Sequence, residues 1–303
     1  MPLHPVFAPL LPILAMIPAL TAQQVAPQAA EVDVIQTTND RHQRMTVPVR
    51  VSDQGPFQFL IDTGSQNTVV SSALASQLSL QPHSRARLVG IAGVQMVDTV
   101  SIEQIDLGTR SYYSVRAPTL ERSDIGADGI LGLDSLQGQR VLIDFRKGVI
   151  LVSDARTLGG NRGFEIVVTA RRRSGQLIVT DAVIDGVRVN VVIDTGAEYS
   201  IGNRALQTAL RNRSPQGQAI LKSVTGQEIV ADLAMARSLA IDNIGFTSVL
   251  IAYADSPPFA VLGLDKKPAL FLGMRDLRSL DRIAIDFSTR RIYFDMPDAA
   301  FRK

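Results

Sequence analysis

The chain has no cysteine and only three histidines among its 303 residues. The first absence removes disulfides, thiolate nucleophiles and zinc-thiolate centres together, and it leaves the redox compartment open. The histidines, His4, His42 and His83, form no metal-ligand spacing such as H-x-x-x-H, so a histidine-based triad or zinc site is not expected. Charge is missing from one region. Residues 1–30 contain no Asp, Glu, Lys or Arg, and residues 6–20 are a nearly continuous apolar run broken by prolines. That run falls short of the roughly 20 residues of a membrane helix. It reads as a secretory signal peptide, with small residues at 19–22 for cleavage, although the usual positive residues ahead of the run are absent. The expected destination is the periplasm or the exterior. The alternatives are an uncleaved leader acting as a membrane tether, or a disordered leader; with no cysteine after the run, a lipoprotein anchor is excluded.

What remains is an ordinary globular balance, 46% hydrophobic and 20% charged, in a chain long enough for two compact domains. The net charge is +2 and the basic residues are scattered. Their one cluster, Arg171-Arg172-Arg173, stands ahead of Ser174-Gly175 and reads as a solvated hairpin turn. No aromatic residues interleave it, which argues against a nucleic-acid partner.

The informative feature is a repeat. Asp62-Thr63-Gly64 and Asp194-Thr195-Gly196 each follow an apolar run, FLI and VVI, and lie 132 residues apart. The segments entering them, from Arg44 and from Gln176, align without a gap at that same offset. In both, apolar and polar residues alternate, a glycine turn intervenes, and a second apolar strand delivers the aspartate. A second pair of hairpins, residues 141–152 and 283–294, repeats at an offset of 142. Short helical patterns follow each triad, at 72–78 and 203–211. Each half then has a candidate hairpin around glycine, 88–97 and 221–230, so each half is expected to carry a flap. The glycine-rich segment 159–163 reads as the linker between lobes at 31–158 and 164–303. Close-spaced strands with few helices predict a mainly β fold.

A carboxylate delivered by a buried strand and followed by a glycine turn lies on the floor of a structure. One Asp-Thr-Gly alone suits an Asx-turn equally well. Two in register point instead to two facing carboxylates that share one proton, an acid and a base in one site. No D-x-D-x-D-G calcium loop surrounds either triad.

With two such triads, the segment Asp128-Gly129-Ile130-Leu131-Gly132-Leu133 and the duplicated hairpins, the chain resembles the pepsin and retropepsin aspartic proteases. The likeness covers everything past the leader and is nearest to bacterial single-chain retropepsin-like proteins. It implies a bilobed, mainly β fold with the active site between the lobes. In that family an apolar-apolar-Gly segment threads beside each aspartate. Ile130-Leu131-Gly132 matches in the first half, while the second half offers Val261-Leu262-Gly263 or Phe271-Leu272-Gly273, of which spacing favours the latter.

The resemblance also implies roles. Asp62 and Asp194 would be general base and general acid, without metal or cofactor, on a water that attacks a peptide carbonyl; the shared proton is carried over from aspartic proteases generally. Thr63 and Thr195 would hydrogen-bond across the lobe interface. Gly64 and Gly196 would allow close approach and free their N–H groups for the carboxylates. Ser65 could donate to the neighbouring aspartate where its counterpart Ala197 cannot. Glu198 stands where retropepsins carry an acidic residue that contacts substrate backbone. Gly90, Ile91, Ala92 and Gly93, with Thr225 and Gly226 opposite, would close over an extended peptide as an added strand. Neither flap contains the tyrosine that pepsins place there. The expectation is an aspartic endopeptidase, monomeric through its two lobes. The rivals are a catalytically silent protein binding a peptide or partner in the same groove, and a processing protease with very few targets.

Overall fold

The computed structural model describes residues 32–40, 44–154, 164, 166–210 and 216–297. The leader and the segment 159–163 lie outside the described residues. The described residues form three sheets, and two of them are copies of one another.

In the first copy the strand order is Thr38–Asn39, Met45–Val51, Gln54–Ile61, Gly129–Leu131, Val69–Ser71, Arg110–Leu120, Gly93–Leu107, Gln81–Gly90. The second copy runs Arg171–Arg173, Gln176–Ile184, Val187–Ile193, Ala269–Leu272, Ser200–Gly202, Ile244–Tyr253, Glu228–Ile241, Gly217–Lys222. An additional pairing between the second and seventh strands curls each sheet on itself. Alternation explains the outer strands: Val47, Val49 and Val51 are buried while Pro48 and Arg50 face out. The strands that deliver the aspartates end in buried runs, Phe59-Leu60-Ile61 and Val191-Val192-Ile193. Those runs pair with parallel neighbours inside the sheet, where both faces are covered.

The two entry hairpins keep the same register beside the triads, Thr46 opposite Leu60 and Ile178 opposite Val192, and differ at their far ends. In the second half Asp185-Gly186 forms the two-residue turn with φ of 45° and 87°, as an Asp-Gly pair favours. In the first half the turn falls on Ser52-Asp53, at φ of 47° and 61°, and Gly55 already lies within the return strand. The expectation of a glycine turn in both copies therefore holds only for the second. The Arg171–Arg173 cluster is an exposed strand closed by Ser174-Gly175.

The short helices are Ser72–Gln77 and Arg204–Ala209, capped at equivalent positions by Ser71 Oγ and Asn203 Oδ1. The third sheet joins the halves: Asp33–Gln36, Val149–Asp154, Gln139–Asp144, then Arg282–Asp286, Arg291–Asp295, Ile166–Thr169. Its centre is the pairing of one strand from each half, Val141 opposite Ile285. One continuous apolar core runs from Val47 and Ile61 through Ile143 and Ile285 to Ile193 and Leu272. Among the described residues no helix is long and apolar enough to cross a membrane.

Candidate active site

Each aspartate is held by its own loop and by the strand beside it. The Asp62 N–H donates to Leu131 O at 3.1 Å, and the Asp194 N–H to Leu272 O at 3.0 Å. Gly132 and Gly273 follow those two strands and each caps a short helix. Gly273, not Gly263, is thus the second-half counterpart; Gly263 follows the helix Pro257–Val261 instead.

Around Asp62, the N–H groups of Gly64 and Ser65 converge on Oδ1 at 2.8 and 3.0 Å. Around Asp194, those of Gly196 and Ala197 converge on Oδ1 at 3.0 and 3.1 Å. The Ser65 hydroxyl does not add to this. It donates to Asn67 O at 2.9 Å, so the side-chain asymmetry expected between Ser65 and Ala197 is not realised. The backbone turn supplies both donors, and a serine hydroxyl there finds a nearer carbonyl.

The two loops interlock. Thr63 Oγ1 donates to Ile193 O at 2.8 Å and Thr195 Oγ1 to Ile61 O at 2.7 Å. Each hydroxyl also accepts the other threonine's N–H, at 3.1 and 3.3 Å. Both threonines are buried. The glycines fit because each faces the other half's carboxylate. A Cβ on Gly64 would come within 2.6 Å of Asp194 Oδ1, and one on Gly196 would run into the Asp62 carboxylate.

Burial of the pair holds both carboxyls above the usual carboxylate range. For Asp62, burial outweighs the Gly64 and Ser65 N–H groups and the Arg44 cation, all of which favour the anion. Asp194 is pushed up to about 7, first by burial and next by the negative charge of Asp62. Two acids that resist joint ionisation retain one proton between them near neutrality. The site can therefore offer a proton acceptor and a proton donor together. Among the described residues no group of three or more His, Asp or Glu side chains could hold a metal ion.

The flap hairpins meet tip to tip. The first closes on Gly90 opposite Gly93 with Ile91-Ala92 at its tip, and the second turns through residues 223–227. Gly90 lies against the Ser223 hydroxyl and Gly93 against the Gln227 amide, with Thr225 Oγ1 near Gly90 and 3.2 Å from Gln227 Oε1. The tips are crossed. Ile91 packs on an apolar cluster of the second lobe that includes Ile201, Phe259, Leu262 and Phe271. Val224 packs on the equivalent cluster of the first lobe, with Leu60, Val69, Ile125 and Ile130. Polar contacts fasten each crossing: Ser256 Oγ donates to Ile91 O at 2.8 Å, and Lys222 Nζ meets Asp124 Oδ1 at 2.6 Å, close to Gly226. Glu198 lies on the second triad's loop and hydrogen-bonds the neighbouring Tyr199.

Two residues of the site carried no expectation from sequence. Arg44 and Gln176 are buried, and each reaches across to the glycine carbonyl of the opposite triad: Arg44 Nη1 to Gly196 O at 3.4 Å, and Gln176 Nε2 to Gly64 O. The repeat contained the signal, since these are the first residues of its two aligned segments.

A search of curated proteins gives no match to this chain. A family model described as aspartyl protease matches residues 47–135 and again 180–275, once on each copy of the triad. These segments span more than half of the chain and fall on two lobes of one pseudo-symmetric, mainly β fold, so the chain belongs to the aspartyl protease family, in its retropepsin-like form, with both lobes in a single polypeptide.

Proposed function

We propose that the chain is an aspartic endopeptidase in which Asp62 and Asp194 activate a water molecule against the carbonyl of an extended peptide. One observation carries the reading: two carboxylates, Asp194 buried and Asp62 partly so, face each other's glycine, each held by two N–H groups, and the Asp194 carboxyl is pushed up to about 7. The anionic carboxylate takes a proton from water as the oxygen attacks. The protonated one donates to the carbonyl oxygen, and later a proton reaches the leaving amine. The attacking oxygen is water's, so no acyl-enzyme forms, and the loop N–H groups hold the carboxylates in place through both steps. The flaps would pair with the peptide backbone as added strands, and the clusters under Ile91 and Val224 would take its apolar side chains once the tips lift.

The test is cleavage of a diverse peptide library by the purified chain lacking residues 1–30, beside Asp62→Asn and Asp194→Asn. Cuts that disappear in both variants support the dyad and report the side-chain preference at once. If the unaltered chain cuts nothing while an Asn variant captures a single protein from an extract of its own cells, the groove is a binding site instead. Cuts that persist in both variants sink the reading.

Export belongs to the same proposal and rests on residues 1–30. Fractionation of cells expressing the full chain tests it, a purely cytoplasmic product being the contrary result.

A further inference from the structure

The two halves match strand for strand, so whatever distinguishes the two carboxylates must come from a position where the copies differ. Ser65 and Ala197 differ, but both act through backbone N–H groups. Arg44 and Gln176 also differ, and here the difference is a full charge.

Their geometry is paired. Gly196 rests against the Asp62 carboxylate, and its carbonyl oxygen faces Arg44 Nη1 at 3.4 Å. Gly64 rests against the Asp194 carboxylate, and its carbonyl accepts from Gln176 Nε2. A cation therefore backs the loop that touches Asp62 and holds Asp194, and a neutral amide backs the loop that touches Asp194 and holds Asp62. Arg44 is 8% exposed and Gln176 4%, so solvent screens neither. Arg44 is also held rigidly. Asp40 accepts from Nε and Nη2 at 2.8 and 2.6 Å, and Ile125 O accepts from Nη2 at 2.5 Å, which turns the remaining edge, Nη1, toward Gly196. The Gln176 Oε1 atom is buried without a hydrogen-bond partner, as though the position could accommodate a group with donors only.

The other charged groups around Arg44 are accounted for. Asp40 pairs with it on the far edge and also faces Arg278. Asp124, one residue before Ile125, pairs with Lys222 of the second flap. Glu198, two residues beyond Gly196, hydrogen-bonds Tyr199. Among the described residues Arg44 is the one cation acting on the pair; it favours both anions, ranking ahead of the Ser65 N–H at Asp62 but behind both loop N–H groups at Asp194.

We propose that Arg44 is a positioning residue that makes the pair asymmetric: its cation keeps Asp62 anionic, as the base, and leaves the shared proton on Asp194, as the acid. The assignment of base and acid rests on the proposed peptidase mechanism. The location of the proton does not.

The experiment is a carbon NMR titration of the full chain labelled at the aspartate carboxyl carbons, with the two signals assigned through Asp62→Asn and Asp194→Asn. In the unaltered chain the lower titration step is expected at Asp62 and the upper at Asp194. Arg44→Gln should raise the lower step by about one pH unit or more, and Arg44→Lys should keep it low. The exchange Arg44→Gln with Gln176→Arg should move the lower step to Asp194. A lower step that sits on Asp194 in the unaltered chain, or that ignores both Arg44→Gln and the exchange, overturns the proposal. Should those variants not fold, Gln176→Arg alone adds a second cation and is expected to lower the upper step; an unmoved upper step is then the contrary result. Because the titration needs no substrate, a chain that cuts no peptide but shows these shifts refutes the peptidase reading and leaves this one standing.

Discussion

Thr63 and Thr195 each anchor the other's loop: either hydroxyl donates to a main-chain carbonyl of the opposite half and accepts the opposite threonine's N–H. Four buried hydrogen bonds thus depend on two side chains of three heavy atoms each.

Replacing either threonine by valine keeps the volume but strands a carbonyl and an N–H in a dry interface. Each single variant should lose about 1–3 kcal/mol of stability in urea unfolding. The double variant should lose less than the sum, because the two hydroxyls share a 3.4 Å contact and a single interface that loosens once either is gone. Strict additivity would show that the two loops are held separately.

Activity, if the proposal holds, follows the proton. With the Asp194 carboxyl at about 7, kcat/KM should fall roughly tenfold per pH unit above neutrality, as the pair loses its last shared proton. The acid limb reports protonation of Asp62. A profile flat into the alkaline range would remove the dyad from the mechanism.

The same raised value has a stability counterpart, and its sign is the reverse of the usual carboxylate. The folded state binds a proton that the unfolded chain releases near 3.8, so stability should decrease as pH rises from about 4 to about 7. The loss from this group is on the order of a few kcal/mol. Asp194→Asn cannot ionise and should show a much flatter dependence in urea melts across that window. Equal slopes in the two proteins would mean that burial does not hold the proton.

The crossed tips give a local prediction. Ile91→Asp places a charge where the second lobe offers Phe259 and Leu262, so the first flap should leave its seat. Amide hydrogen exchange in residues 88–95 should rise by an order of magnitude or more while exchange in the joining sheet stays protected. Protection unchanged at the tip would mean that the seat is not what closes the flap.

Much of this arrangement was legible in the chain. The two triads announced themselves because a buried strand, a carboxylate and a glycine turn are local chemistry, written in consecutive residues. The flaps were legible for the same reason, as apolar strands flanking glycine. Arg44 and Gln176 were not, because a residue 18 positions ahead of its triad acts on the other half, and no local pattern states which carbonyl it will reach. Nor did alternation reveal that Ile91 and Val224 cross, since a partly buried tip residue reads identically whichever lobe it rests on. The turn at Ser52-Asp53 escaped too, because a register shift between Val49 and Val51 closes it two residues short of the glycine that seemed to mark it.

The sheet that joins the halves has a consequence for inheritance. Its middle pairing, Val141 with Ile285, does not depend on the backbone between residues 154 and 164, so a break there should leave one particle made of two pieces. The joining sheet, rather than the covalent link alone, then holds the halves together. The link matters for something else: a particle built from two identical subunits must carry the same residue at both places behind its carboxylates, whereas one gene spanning both halves can keep an arginine at one and a glutamine at the other, and pass the difference on.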